Sequence, residues 1–338
     1  HVLGRYCLMK KKYRKLVKQN NKKFRENLMR KIEILESRDP KAAWRLINDL
    51  KAKKNQNIEV DIEKLVKHLE QLGNLRSDGF NKEFENKITT AFQNIKSQQY
   101  CNITDSEITL SELTNCSKQL KNGKAVGDDK VSNEMIKCSV TLLGPTLTDF
   151  FNKILKHEKT PEAWGSGWIV PIYKSGAKND PKNYRPITVT SCISKLFTLI
   201  LNTRLINFLE RNKIITEFQI GFKKNSRTSD HIFLLKTIIE YYKKKHKHIY
   251  ACFVDFSSAF PSIWRLGLFY KLYHNGLSTK FINIIISLYK NTMASVKIGN
   301  RVSKKFSVNI GTKQGCNLSP SLFNLFTNDI PHTLLASK

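Results

Sequence analysis

The most constraining feature of this chain is an apolar, β-forming run that ends in a single carboxylate. Residues 249–254 (IYACFV) precede Asp255, and Phe260 and Pro261 follow within a few residues. The pattern predicts a buried strand with an aspartate at its end, and a helix that begins near Pro261. Such a carboxylate is poorly solvated unless a cation meets it, and a divalent metal is one reason to place it there. By itself, the pattern fits an aspartate that caps the next helix better.

The charge balance predicts a polyanionic partner. The 338 residues include 58 Lys or Arg and 28 Asp or Glu, a net charge of +30 that attracts nucleic acids over long range. The length predicts two or three domains or subdomains, and the chain begins with His rather than Met, as a piece of a longer protein would. Seven scattered cysteines without a C-x-x-C pair indicate a reducing compartment and no disulfide framework. No secretory signal is visible, and apolar stretches such as residues 281–289 are too short to cross a bilayer.

The first 57 residues form a strongly basic region, with 18 Lys or Arg and 5 Asp or Glu. Phe24, Leu28 and Ile32 recur at helical spacing, and Asp39 followed by Pro40 predicts the start of a second helix. Two interpretations stay open: a solvated basic helix, or a contact surface for a nucleic-acid backbone.

The rest of the chain mixes helical and strand signals. Residues 58–160 are mostly helical, one helix is predicted to stop at Asn122-Gly123, and another to restart at Gly144-Pro145. Residues 168–173 and 187–190 predict the strands of a hairpin with a basic tip. Further helices are predicted near these residues: 192–211, 229–245, 262–275, 279–291 and from 320. A second hairpin is predicted to turn at Gly299-Asn300, so the fold class is α+β.

Six segments follow one another in a fixed order along the second part of the chain. They are KNGKAVGDDKVSNEMIK (121–137), WIVPIYKSG (168–176), PKNYRPITVTSCISKLF (181–197), FQIGFKKNSRTSDHIF (218–233), FVDFSSAF (253–260) and GTKQGCNLSPSLFNLFTNDI (311–330). In this order and spacing they resemble the reverse transcriptase of non-LTR (LINE-type, jockey-like) retrotransposons. The resemblance covers roughly residues 120–338.

The resemblance implies the fold and the domain organisation. We expect a right-hand polymerase fold preceded by a basic helical region. The implied boundaries are 1–57 for a basic helical linker, 58–160 for a helical N-terminal extension, 161–247 for the fingers, and 248–338 for a partial palm without thumb.

The resemblance also implies a catalytic and nucleotide site. Asp255 matches the first metal-binding aspartate, and the main-chain carbonyl of Phe256 faces the metal, Mg²⁺ or Mn²⁺. Phe260 matches the aromatic that excludes a 2′ hydroxyl, and Arg185 the arginine that grips the triphosphate, a task that suits a guanidinium fork. The resemblance further implies that the incoming nucleotide is contacted by Gln314, Gly315 and either Lys174 or Lys178. It implies that the template phosphates are contacted by Lys223, Lys224 and Arg227. Asp230, beside these last residues, is predicted to cap a helix.

The chain departs from the family pattern in three places. Pro261 replaces an acid and is expected to disturb the local turn, and Lys313 stands where an arginine is common. The Asp-Asp motif that carries two further metal carboxylates does not occur before Lys338, and Asp128-Asp129 lies too far upstream to replace it. Because the loss of one catalytic group often costs on the order of 10³ in rate, we expect the chain to be inactive alone.

The expected function is RNA-directed DNA polymerisation that copies element RNA into DNA. The implied partners are an RNA template, a DNA primer and deoxynucleoside triphosphates, with no membrane, and the implied location is intracellular, in nucleus and cytoplasm. The alternative is a non-catalytic basic RNA-binding module or the relic of a degenerate element. A third possibility is another reverse transcriptase lineage, such as a group II intron maturase. The oligomeric state is left open.

Overall fold

The computed structural model describes residues 2–51, 58–74, 81–95 and 100–336 and divides the chain into two compact units, 1–57 and 58–338. The first unit contains two helices, α1 (Val2–Arg38) and α2 (Pro40–Lys51). The Asp39 carboxylate accepts hydrogen bonds from the backbone N–H groups of Lys41 and Ala42, both at 3.1 Å. These bonds satisfy N–H groups at the start of α2 and confirm the predicted helix start at Pro40.

The second unit mixes helices with a single sheet in its described residues, which confirms the α+β class. Its helices are α3 (Ile62–Asn74), α4 (Lys82–Gln93), α5 (Asn102–Asp105), α6 (Leu110–Gln119), α7 (Asn133–His157), α8 (Cys192–Arg211), α9 (Thr228–Lys244), α10 (Arg265–His274), α11 (Thr279–Tyr289), α12 (Ser319–Phe326) and α13 (Ile330–Ala336). Its strands are β1 (Ser166–Tyr173), β2 (Tyr184–Val189), β3 (Met293–Ile298), β4 (Arg301–Val302) and β5 (Phe306–Ser307).

The sheet joins both predicted hairpins. β1 and β2 pair antiparallel, with Trp168 opposite Val189 and Tyr173 opposite Tyr184. β1 also pairs in parallel with β3, which pairs antiparallel with both β4 and β5. The hairpin β1–β2 and the turn between β3 and β4 are therefore confirmed, and their parallel junction puts them in one sheet.

Helix α8 is the centre of the main hydrophobic core. Leu196, Phe197 and Ile200 on this helix are fully buried. Arg204 is also buried and forms a bidentate ion pair with Glu112 of α6, at 2.7 and 2.8 Å. The helix is long and apolar enough to cross a bilayer, but 61% of its most apolar window is buried inside the protein, as in a core helix.

A second, smaller core lies between helix α3 and the sheet. Val60, Leu65 and Leu69 pack with residues of β1 and β3, including Ile169 and Val296. At the C-terminal end of α3, the carbonyl of Gly73 accepts hydrogen bonds from the N–H groups of residues 309 and 310, at 2.9 and 3.0 Å. This packing fastens α3 to the segment that leads from β5 towards α12.

Two helix starts differ from the prediction. Helix α7 runs without a break through Pro145, so the predicted restart there is wrong. The same helix buries Ile136 before the proline and Phe151 after it in one core, and this packing outweighs the cost of an interior proline, about 3 kcal/mol. Pro261 does not open a helix either: residues 257–262 form turns, and α10 begins at Arg265.

Candidate nucleotide and nucleic-acid site

The strand that carries Arg185 is joined directly to the Gln314-Gly315 loop. The backbone N–H of Thr188 on β2 donates to the carbonyl of Gln314 at 2.7 Å. Gly315 has φ +117°, and a Cβ atom there would lie 2.7 Å from the carbonyl oxygen of Thr188. Because glycine has no Cβ, the backbone of Gly315 can lie close to the backbone of Thr188 on β2. Arg185 and Gly315 are both exposed on this junction.

Phe260 connects three of the predicted motifs. Its ring is half-buried, with centroids 5.3 Å from Phe323 on α12 and 6.0 Å from Phe222 in the loop 218–227. Its carbonyl accepts a hydrogen bond from the N–H of Thr312 at 2.8 Å, just before Gln314. Segments that lie far apart in the sequence thus meet around one aromatic ring.

The two candidate lysines of the hairpin tip have different surroundings. Lys178 Nζ lies 2.9 Å from Glu59 Oε1, and this hydrogen bond and charge raise the pKa of Lys178. Lys174 is exposed, and in the described part of the chain it forms no ion pair. Lys174 is therefore the better placed of the two to meet an anionic ligand, because Lys178 would first have to leave Glu59.

Helix α12 holds the loop 218–227 through one buried asparagine. The Asn324 amide oxygen accepts from the side chain of Gln219 at 2.8 Å, and its amide nitrogen donates to the carbonyl of Gly221 at 2.7 Å. The predicted template-contacting residues on this loop are all exposed: Lys223, Lys224 and Arg227. Asp230 accepts from the backbone N–H of Arg227 at 2.7 Å, which confirms its predicted capping role at α9.

The predicted buried strand before Asp255 is not formed. Residues 250–255 have no regular secondary structure, and the side chains of Tyr250, Phe253 and Val254 are 93%, 82% and 79% exposed. Asp255 itself is exposed, and the ring of the neighbouring Phe256 lies 6.3 Å from that of Phe323. β-propensity alone does not make a strand, because an extended segment needs a neighbouring strand to pair with. None of the described strands pairs with this one.

The residues around Asp255 do not fit a divalent metal. Within the described ranges, no group of three His, Cys, Asp or Glu side chains is placed to hold an ion. A hard divalent cation needs several oxygen ligands, and one exposed carboxylate with a neighbouring carbonyl does not supply them. Asp128 and Asp129 lie in a turn, where the carboxylate of Asp129 accepts a hydrogen bond from the backbone N–H of Val131 at 3.2 Å.

Two cationic side chains, Arg265 and Lys313, lie beneath the Gln314-Gly315 loop. The sequence did not predict that these two residues lie near each other. Arg265 donates to the carbonyls of Gly311 and Tyr289, both at 2.9 Å, and Lys313 Nζ donates to the carbonyl of Trp164 at 2.7 Å. Burial lowers the pKa of Lys313 to about 8 and that of Arg265 to about 10. Burial also raises the pKa of the Tyr289 hydroxyl, so it stays neutral beside them.

Sequence reasoning missed three residues of the site: Glu59, Asn324 and Arg265. Glu59 and Asn324 act through contacts more than 100 residues away in the sequence, which no local pattern reveals. Arg265 was missed because the predicted helix start near Pro261 hid its position at the first turn of α10. Lys313 was noticed only as a departure from the family pattern. Its position directly before Gln314 was the signal that could have placed it in the site.

Comparison with protein families identifies the class. Residues 174–338 match the family described as reverse transcriptase (RNA-dependent DNA polymerase). This chain therefore carries a reverse transcriptase domain, the domain of a nucleotidyltransferase family that requires a divalent metal, although the described residues do not form a complete metal site.

The relatives narrow the class to non-LTR retrotransposons. The chain is 27% identical over 256 residues to the probable RNA-directed DNA polymerase from transposon BS of Drosophila melanogaster. The matched region covers 72% of this chain and 28% of that protein. It is 30% identical over 227 residues to the RNA-directed DNA polymerase from mobile element jockey of Drosophila funebris, covering 67% and 25%. The chain thus spans about a quarter of the length of these relatives, and the predicted jockey-like, non-LTR family is confirmed.

Proposed function

We propose that this chain is the fingers and the first part of the palm of an RNA-directed DNA polymerase with a right-hand fold. In this proposal residues 161–247 are the fingers, 248–338 part of the palm, 58–160 an N-terminal extension and 1–57 a basic helical linker. The whole protein copies element RNA into DNA from a DNA primer with deoxynucleoside triphosphates. It acts inside the cell, in nucleus and cytoplasm.

The observation that carries the proposal is the hydrogen bond from Thr188 N–H to the Gln314 carbonyl. It joins two motifs that are separated by more than 100 residues and that both match nucleotide-contacting elements of the family. Phe260 is tied to the same junction through Thr312. Convergence of these motifs on one surface is what a nucleotide site requires, and chance similarity of single motifs does not produce it.

The side chains at this junction suit an anionic nucleotide. Arg185 is exposed on β2, next to Tyr184, which pairs with Tyr173 at the end of β1. Lys174 follows directly after Tyr173. A guanidinium group on β2 and an ammonium group just after β1 can neutralise phosphate oxygens together. The side-chain oxygen of Gln314 is buried and, among the described residues, has no hydrogen-bond partner. An unpaired buried acceptor in a native site is explained if a ligand donor satisfies it.

The metal in this proposal is Mg²⁺ or Mn²⁺, for which Asp255 and the Phe256 carbonyl would be ligands only in a longer polypeptide. Since one exposed carboxylate is not a complete site, this chain alone is expected to show no primer extension. The test compares this chain with a polypeptide extended at its C-terminus, each given RNA template, DNA primer, deoxynucleotides and Mg²⁺. Asp255→Asn should abolish extension by the longer polypeptide, and the exposed control Asp149→Asn should not. Extension by the shorter chain that disappears with Asp255→Ala would contradict the proposal.

A second candidate function is non-catalytic RNA binding. The exposed position of Asp255 and the net charge of +30 favour it. A longer polypeptide that binds RNA with strong salt dependence but never extends a primer would support this function over polymerisation.

A further inference from the structure

We infer that a cavity behind the junction of β2 with the Gln314-Gly315 loop binds a small monocarboxylate. The cavity lies between helix α3 and the sheet and has a volume of about 70 Å³. This is roughly the share of two water molecules in the liquid, so the cavity has room for a molecule of the size of acetate. The inference goes beyond the proposed polymerase function and does not depend on it.

The cavity lies on the side of β2 that faces α3, away from Arg185. Pro186 and Thr188 of β2 line it, together with Leu69 and Leu72 of α3. Because successive side chains of a strand point to opposite faces of the sheet, Arg185 points to the other face. A ligand in the cavity would therefore leave the predicted triphosphate contact free, while it touches β2 behind the junction.

The charges at the cavity favour an anionic ligand. Arg265 and Lys313 line it, and none of the described residues of its wall is acidic. Neither of these two side chains forms an ion pair in the part of the chain that the structure describes. Lys313 has a pKa of about 8, so it is charged at pH 7. Two half-buried positive charges without a carboxylate partner are stabilised when an anion binds beside them.

Hydrogen-bond donors for a carboxylate lie at the same place. A guanidinium has five N–H groups, and that of Arg265 donates three described hydrogen bonds, all to backbone carbonyls and one of them to Gly311. The side chain of Thr312, which follows Gly311, lines the cavity and is 5% exposed. Its hydroxyl has no hydrogen-bond partner among the described residues. A carboxylate can accept from both groups, and it removes the cost of an unpaired buried hydroxyl.

The rest of the wall favours a ligand with a short apolar part. Most of the lining side chains are apolar, among them Ile169, Ala294 and Val308. Such a wall favours a methyl group over the hydration shell of chloride or phosphate. A cavity that holds benzene has about 150 Å³, so an aromatic acid does not fit. The size, the charge and the apolar wall together define the ligand class as short-chain monocarboxylates.

The test measures thermal unfolding of the whole chain at pH 7, with sodium chloride replaced stepwise by sodium acetate at constant ionic strength. Acetate should raise the unfolding midpoint, because a ligand that binds only the folded state stabilises it. Acetamide has nearly the same shape without the charge and should not bind, and benzoate should be too large to enter. Some anions also stabilise proteins by exclusion from their surface, so each result is compared with that of a variant.

Thr312→Val keeps the shape of the side chain and removes the hydroxyl donor. We expect it to weaken acetate binding about 10- to 100-fold, because a hydrogen bond to a charged group is lost. The control Thr237→Val makes the same change at an exposed residue of α9 that does not line the cavity, and it should keep the acetate effect of the parent. Ala294→Val narrows the cavity and should also prevent binding. Circular dichroism shows whether each variant is folded.

Amide hydrogen exchange locates the bound acetate. The N–H groups of Thr188 and Thr312 donate to the carbonyls of Gln314 and Phe260, and both threonines line the cavity. Acetate should slow exchange at these two N–H groups, because it stabilises the segments that surround it. Exchange in α9 should not change, since no residue of α9 lines the cavity.

Four outcomes would overturn the inference. Equal stabilisation by acetate and acetamide would show that the charge plays no part. Stabilisation by benzoate as strong as that by acetate would place the anion on the protein surface. An acetate effect that is the same in the parent and in Thr312→Val would exclude the hydroxyl as a ligand contact, and slowed exchange in α9 as much as at Thr188 would show general exclusion of the salt. None of these measurements uses a nucleotide, an RNA or a primer, so a failure of primer extension is a separate result.

Discussion

The half-buried lysine before Gln314 allows the sharpest test of how this site is built. Lys313 donates to the carbonyls of Trp164 at 2.7 Å and Leu288 at 3.4 Å, and no described carboxylate is paired with it. Burial therefore lowers its pKa from the ordinary 10.5 to about 8, with the positive charge of Arg265 a smaller contribution in the same direction. We predict that Lys313→Met removes a pH dependence of folding stability that the parent chain has.

The sign and the size follow from proton binding. The folded state has the lower pKa, so between pH 8 and 10.5 it binds fewer protons than the unfolded chain. The parent must accordingly become more stable as the pH rises through this window. Below the window, the charged ammonium group of Lys313 destabilises the folded state by the full amount. At about 1.4 kcal/mol per pKa unit, the whole effect is about 3.5 kcal/mol, of which about 2.5 kcal/mol falls between pH 7 and 10.

The assay is urea unfolding at pH 7 and pH 10, followed by circular dichroism. Other groups titrate in the same range, so the quantity of interest is the difference between the parent and Lys313→Met. The exposed control Lys290→Met should keep the parent's pH dependence. A free energy of unfolding that changes equally with pH in the parent and in Lys313→Met would refute the reasoning, because the ammonium group would then be solvated in the folded state.

Three further predictions concern backbone and packing. Gly315→Ala should lower the free energy of unfolding by about 2–3 kcal/mol, because its φ is positive and its Cβ would press on the Thr188 carbonyl; an unchanged urea midpoint would contradict this. Pro145→Ala should raise it by about 1–2 kcal/mol, since alanine suits the interior of a helix, and a loss of thermal stability would show that the proline is needed there. Asn324→Ala should cost about 2–3 kcal/mol and speed proteolysis of the loop 218–227, because two hydrogen bonds are lost; cleavage at the parental rate would count against the tie to α12.

Much of the fold could be predicted from local signals. Helix α8 has the limits predicted from its sequence, residues 192–211, and the start of α2 follows from Asp39 and Pro40. The hairpin β1–β2 was visible as two β-forming runs around a turn-rich connection. These features depend on side chains close together in the sequence, and such side chains act in the same way in most folds.

Predictions failed where packing between distant segments decides the conformation. Pro145 signals a helix start, but the buried faces on both sides of it belong to one core, and α7 continues. Residues 249–254 have strong β-propensity, yet without a pairing strand they stay exposed. The capping role of Asp230 was predictable because its partner, Arg227, is three residues away.

For this protein, the sequence by itself determined the family, through the order of its motifs, and the identity of the candidate residues Arg185, Phe260 and Gln314. Only the tertiary structure decided how these residues meet. The junction of β2 with the Gln314 carbonyl, the contact of Phe260 with Phe323 and the burial of Lys313 all join segments far apart in the chain. Such contacts depend on how whole elements pack, which no short stretch of sequence encodes.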